Sequence, residues 1–340
     1  MLAAIALVAL AACSSTPRTQ TRKFPAMGTQ VDVTLYGVDK TTADRLMSAV
    51  EDQFHYMQRT WQPWHPGALA RVNSLLSTTD WFSVAPSVRP LIVKSTPLSE
   101  ASGNLFDPAI GKLIKLWGFN QDPRPPGPPP DPAKIAALVA KHPRMSDIHL
   151  DGIRIRSDNP AAFLDFGAYA RGYGIDQTID YLKSQGIKNA IINAGGDLRA
   201  IGRPGDRPWR VGIRNPRGPG IIASIDVQGD QSVFTSGDHD RSFIYHGTRY
   251  HHIIDPRTGY PARGTTSVTV VHRDAAVAAA AATALFVAGP KDWYKVARAM
   301  GIHYVMLVAA DGTVYMNPAM AKRIHFETGK PPKVVLSAPL

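Results

Sequence analysis

The hydrophobic period of this chain switches back and forth between two and three-to-four residues without a regular strand-helix-strand alternation, which excludes a repeating architecture and a doubly wound parallel sheet. From Gln30 to Gly37, Val31, Val33 and Leu35 alternate with Asp32, Thr34 and Tyr36, as in a half-buried strand. From Thr42 to Thr60 the apolar positions Leu46, Val50, Phe54 and Met57 fall on one helical face. Seven prolines between Asp122 and Pro132 demand a loop, after which helical spacing resumes over Pro132–Lys141. Short strands are predicted at Ile148–Leu150, Ile153–Ile155 and Phe163–Asp165, and a helix over Ala170–Gln185. The second half reads as a meander: strands Ala190–Asn193, Leu198–Gly202, Trp209–Ile213, Ile221–Val227 and Ser232–Ser236. A loop rich in His, Asp, Arg and Gly follows, then strand Ser267–Val271 and an Ala-rich helix Ala275–Ala288. The expected class is α+β, with mixed and antiparallel sheets against packed helices.

Leu2 to Ala12 form an unbroken apolar run, too short for a permanent membrane helix. It reads as an export signal ending in Leu10-Ala11-Ala12-Cys13, small residues before a cysteine that can carry lipid. No Lys or Arg precedes the run, so the true start is expected upstream of Met1. Cys13 is the single cysteine, and the exported part must therefore fold without disulfides. The division expected is a leader over 1–13, a main folded region over 22–320 and a tail over 321–340. The excess of 38 Lys+Arg over 27 Asp+Glu favours an anionic partner, either a phosphate-bearing cofactor or the membrane surface. Nucleic acid is not expected, because no run of Lys/Arg exceeds two residues.

Four polar, glycine-containing segments stand out. Ala26-Met27-Gly28-Thr29 precedes a strand, where glycine admits close approach of a ligand or simply makes a turn. Ala101 to Pro108, with Leu116-Trp117-Gly118-Phe119 downstream, combines turn formers, a carboxylate and aromatics that read first as packing and second as a flat-ring pocket. Asp165 to Tyr173 is a strand end, a glycine turn and a helix start, exposing amides to a phosphate and carbonyls to a cation, with Arg171 placed for phosphate oxygens. Asn193-Ala194-Gly195-Gly196-Asp197 adds a second tight turn. In His251-His252-Ile253-Ile254-Asp255-Pro256-Arg257-Thr258-Gly259 the adjacent histidines point to opposite faces, so only one can face a site. Each reads either as a structural hydrogen-bonder or as a general base.

Taken in order, M-G-T, F-D-P with L-W-G-F, D-F-G-A-x-A-R-G-Y, N-A-G-G-D, and H-I-I-D-P-R-T-G-Y-P with the T-A-L-F helix resemble the FAD:protein FMN transferases, the ApbE-like family, over Phe24 to Met320. The resemblance implies an ApbE-like, T-fold-like architecture in the periplasm, held to a membrane through lipidated Cys13. It implies Mg²⁺-dependent transfer of FMN from FAD to a Ser or Thr of an acceptor protein with an Asp-x-x-Ser/Thr type motif, releasing AMP. FAD contacts are implied for Met27, Trp61, Leu105, Phe106, Asp107, Asp165, Arg171 and Ile253, with His252 as the base. Mg²⁺ would be held by the Ala168 carbonyl, by Thr283, and by an Asp one turn before that Thr.

At that last position this chain has Ala279, so the implied cation site lacks its carboxylate. Asp274 lies nine residues from Thr283, on the opposite helical face and about 13 Å along the axis, and is expected to cap the helix instead. Arg171 stands where the family commonly has Lys. The alternative these departures raise is a degenerate member that binds or hydrolyses FAD with impaired transfer.

Overall fold

A computed structural model describes residues 19–121, 123–329 and 331–340; the predicted leader and Cys13 lie outside them. The chain begins with a hairpin of β1 (Thr19–Ala26) and β2 (Thr29–Tyr36), turning through Met27 and Gly28 at φ 52° and 72°. Helix α1 (Lys40–Trp61) starts at Asp39, whose carboxylate accepts the Thr42 N–H at 3.0 Å. Helices α2 (Ala68–Leu76), α3 (Arg89–Ala101), α4 (Gly111–Leu116) and α5 (Pro132–Val139) follow, with β3 (Phe82–Ser83) before α3. Strands β4 (Ile148–Asp151) and β5 (Arg154–Ser157) form a small sheet with β3, in which β5 lies between the other two. Then come α6 (Ala170–Ser184), β6 (Ala190–Ala194), β7 (Asp197–Ile201), β8 (Trp209–Arg214), β9 (Ile221–Val227), β10 (Gln231–Gly237), β11 (Ser242–Tyr245), β12 (Thr248–His251) and β13 (Thr265–His272). The chain closes through α7 (Ala275–Ala299), β14 (Val305–Ala309), β15 (Val314–Met316), α8 (Pro318–Ala321), β16 (Ile324–Phe326) and β17 (Val334–Leu336).

Nine strands build the main sheet in the order β1-β2-β6-β7-β10-β13-β14-β15-β17, antiparallel except for the β15–β17 pair. Its middle is covered on both faces, so β13 is buried at every position but its last and β14 throughout. Alternation sorts them: Val268, Val270, Val305 and Leu307 enter the helical core, while Val271, Met306 and Val308 face a second core under β8, β9 and β16. The α+β expectation holds.

Helix α7 lies against β13 and β10 and crosses α6. The crossing is close because position 172 is glycine: a Cβ there would stand 2.4 Å from the Ala275 carbonyl oxygen. Asp274 occupies the position before α7 but makes no side-chain cap. The capping carboxylate comes instead from Asp176 on α6, which accepts the Ala275 and Ala276 N–H groups at 2.8 and 2.9 Å. The helix also runs past its expected end at Ala288, kinking at Gly289 (φ 71°) before Pro290.

Two other expectations change and one is settled. Phe163–Asp165 is not a strand; it runs beside residues 108–111 through a single bridge, Ile110 to Phe163. The loop expected before residue 264 contains the β11–β12 hairpin, a sheet of two strands. Trp117 and Phe119 are buried in a third cluster with Leu113 and Ile135, and the Trp117 indole donates to the Gly259 carbonyl at 2.7 Å, so the packing reading of these aromatics is the one realised.

Asp176→Ala is expected to destabilise the fold by about 3 kcal/mol, because it uncaps α7 and strands the buried Arg199 that pairs with it at 2.5 Å. Asp274→Ala should stay within about 0.5 kcal/mol of the parent. Urea midpoints of the two variants check the contrast.

Candidate functional site

The α6–α7 crossing and the ends of the central strands enclose a cleft of about 410 Å³. One wall is Leu105 to Pro108, held to the segment starting at Phe163 by Asp165 N–H to Pro108 O and Phe163 N–H to Ala109 O. The first turn of α6 brings Arg171, and the glycine turn before it brings Asp165, Gly167 and Ala168. Ala279, Ala282 and Thr283 present one face of α7, and Ser236 at the end of β10 stands 3.4 Å from the Thr283 hydroxyl. The hairpin β11–β12 is flanked by cleft residues on both sides, Asp240 and Arg241 before it and His252 to Ile254 after it.

The two histidines divide as alternation requires. His251 is buried; its Nε2 lies 2.9 Å from the Ala262 carbonyl and its Nδ1 accepts the Ile253 N–H, which fixes one tautomer. Burial lowers its pKa to about 4. His252 lines the cleft, edge-on to Phe119. Burial, reinforced by Arg241 and His251, pushes its pKa down to about 3, so the ring is neutral at pH 7, and its Nδ1 has no hydrogen-bond partner.

The carboxylates of the cleft are each constrained. Asp107 accepts the Ala109 N–H through one oxygen, while the other is buried without a partner; burial raises its pKa to about 7. Asp165 accepts the Gly167 N–H at 2.8 Å, and burial raises its pKa. Asp197 accepts from Arg171 Nη1 at 2.7 Å and from the Thr235 N–H at 3.0 Å, tying α6 to β7 and β10; burial raises its pKa as well. It leaves the tight turn at Gly195 and Gly196, both at positive φ as a two-residue hairpin turn requires. Arg171 keeps its Nε buried and unpartnered.

Of the residues singled out in the sequence, Leu105, Phe106, Asp107, Asp165, Ala168, Arg171, His252, Ile253 and Thr283 line this cleft. Met27 does not, although its neighbours Gly28 and Thr29 do; its N–H is bonded to the Gln58 side chain. Trp61 is buried away from the cleft, donating to the Ser87 carbonyl and packing on Tyr173. Sequence reasoning missed Phe234 to Gly237, Asp240 and Arg241, which also line it. The charged run Asp238-His239-Asp240-Arg241 inside an apparent loop was the available signal.

The model of the ApbE family matches residues 27–306. A Rhodobacter capsulatus protein named FAD:protein FMN transferase is 38% identical over 90% of this chain; the chain spans 58% of that relative's length. A Vibrio cholerae protein of the same name is 31% identical over 92% of this chain and 94% of its own. Among solved structures, the ApbE protein of Thermotoga maritima superposes with a TM-score of 0.81 at 30% identity, covering 90% of this chain and 99% of that one. The flavinyl transferase ApbE of Pseudomonas stutzeri gives 0.79 at 27% identity, over 92% and 98%.

The raised pKa of Asp107 means the fold holds its proton: the stability from this group is complete below the unfolded value of 3.8 and is lost as pH rises through about 7. Asp107→Asn should therefore gain stability relative to the parent between about pH 5 and about pH 8, on the order of 1–3 kcal/mol. Urea denaturation at both pH values measures it; an equal difference at the two would show that the carboxyl is not held protonated.

Proposed function

The chain belongs to the ApbE family, and from that membership we propose that it is an FAD:protein FMN transferase, moving FMN from FAD to a Ser or Thr hydroxyl of an acceptor protein and releasing AMP. One observation carries the reading: residues from separate segments that matter only together, Phe106, Asp107, Asp165, Arg171, His252 and Thr283, converge on a single cleft of a size suited to a small-molecule cofactor. The names of the relatives support it, and they lend nothing to the alternative of a degenerate member.

In the proposed reaction the acceptor hydroxyl oxygen attacks the phosphorus on the riboflavin side of the FAD diphosphate. The new P–O bond forms as the bond to the bridging oxygen breaks, and that oxygen leaves with AMP. His252, neutral and with a free Nδ1, takes the hydroxyl proton. Bound phosphate beside the ring raises its affinity for that proton as the transfer proceeds. Leu105, Phe106 and Ile253 supply apolar walls for a flat ring, and Arg171 offers its unpartnered Nε to phosphate oxygen.

A Mg²⁺ ion at the family position would neutralise charge on the diphosphate. The residues present do not make that site. Thr283 donates to the Ala279 carbonyl at 3.2 Å, and Ala279 brings no oxygen of its own side chain. One Asp165 oxygen accepts the Gly167 N–H, and both Asp197 oxygens are taken, by Arg171 and by the Thr235 N–H. Among the described residues no group of three or more His, Cys, Asp or Glu could hold a metal ion.

The cellular setting belongs to the same proposal. Lipid on Cys13 would hold the domain on the periplasmic side of an envelope membrane, within reach of an acceptor carrying the Asp-x-x-Ser/Thr type motif. Among the described residues no helix is long and apolar enough to cross a membrane.

Incubating the purified chain with FAD and such an acceptor should add one FMN to the intact mass of the acceptor. His252→Gln should slow that addition about 100-fold or more while changing FAD affinity only a few-fold. An unmodified acceptor with the parent protein would overturn the reading. Because burial holds His252 near pKa 3, the acid limb that this group sets in kcat/KM should lie below about pH 5 rather than near the ordinary histidine value of about 6.5; a limb near pH 6.5 would contradict the assignment of the base.

A further inference from the structure

The cleft has two guanidinium groups on its walls, and they differ. Arg171 is tied to Asp197. Arg241 lines the cleft and, among the described residues, forms no ion pair and no side-chain hydrogen bond. Its neighbours are paired: Asp240 faces Arg214 at 3.7 Å, and Asp238 holds Arg217 at 2.5 Å. Arg241 also sits at φ 33°, a backbone region that costs a side chain about 1 kcal/mol and that here puts it at the base of the β11–β12 hairpin, opposite the glycine turn before α6. Its charge is felt on both sides of the cleft, by Asp165 and by His252. A free cation at the rim therefore stands between the proposed base and the turn whose amides suit phosphate.

The second observation is the missing oxygen at Ala279. A diphosphate brought into this cleft needs positive charge, and the helix supplies none by way of a metal carboxylate. We propose that Arg241 is the principal cationic contact of the FAD diphosphate in this protein, acting with Arg171 in the place that a divalent cation would fill, so that FAD binding here does not require Mg²⁺. The planar guanidinium can bind two phosphate oxygens at once, which fixes the diphosphate beside His252 in addition to neutralising it. The inference rests on the transferase reading, since it presupposes FAD in the cleft.

Titration of the full chain with FAD, followed by flavin fluorescence in EDTA and again in excess Mg²⁺, tests it. The parent protein is expected to bind FAD with the same affinity within about twofold in both buffers. Arg241→Gln should weaken FAD binding about 10- to 100-fold and leave the melting temperature of the ligand-free protein unchanged, and Arg241→Lys should recover part of the loss. The inference is overturned if Arg241→Gln binds FAD as the parent does, if its loss of affinity comes with a lowered melting temperature, or if the parent binds FAD only when Mg²⁺ is added. No FAD binding by the parent in either buffer would bring down the transferase reading, and this inference with it.

Discussion

The carboxylate of Asp176 is where the site begins. It caps the N-terminus of α7 from a neighbouring helix and pairs with Arg199 of β7, which in turn holds Asp230 through two further bonds at 2.8 and 3.0 Å. One side chain thus fixes the start of α7, the register of α6 against it and the strand beneath both. One and two turns further along α7, Ala279 and Thr283 reach the cleft. The missing Cβ at Gly172 is the steric half of the same constraint, since any side chain there would push the helices apart. Breaking a buried, shared ion pair leaves charges without solvent, so the geometry of the cleft is coupled to the stability of the core rather than to mobile loops.

The electrostatics of the cleft follow from burial more than from partners. Asp107, Asp165 and Asp197 are all pushed toward their neutral forms, and His252 toward its own. Burial thus opposes ionisation at three of the cleft carboxylates, while the fourth, Asp240, faces Arg214. The cations on the cleft walls are the guanidiniums of Arg171 and Arg241. In the proposed reaction the neutral His252 would accept the hydroxyl proton, and the charge that would make it a stronger base would arrive with the substrate.

Much of this was legible in the sequence where periodicity was strong. The α+β class, β2, α1, α6 and the strands of the meander carried apolar patterns of the right period, and the start of α7 was legible from its run of alanines. The helix α3 was not, because its buried face includes Ser95 and Ser99 beside Leu91 and Ile92 and its interior holds Pro97, which erases the hydrophobic stripe. Nor was the β11–β12 hairpin, whose strands are only four residues each and leave Ile244 and Tyr245 exposed; its turn at His246 and Gly247, both at positive φ, is a local signal that only the pairing makes plain. The cap of α7 could not be read at all, since Asp274 has the right place in the sequence and Asp176, 99 residues from Ala275, has the right place in space. The same limit applied to the site: its polar segments were visible one by one, the division of labour between His251 and His252 followed from strand alternation, and Arg241 and the end of β10 emerged only when the sheet brought them to the cleft.

The central claim is that this cleft seats FAD with its diphosphate at the junction of α6, α7 and the hairpin. A crystal structure of the chain with FAD tests it most directly. The account predicts the flavin ring against Leu105, Phe106 and Ile253, and the diphosphate within hydrogen-bonding distance of the Arg241 guanidinium and beside the His252 ring. FAD bound outside the cleft, or in it with its diphosphate remote from His252, would contradict the account.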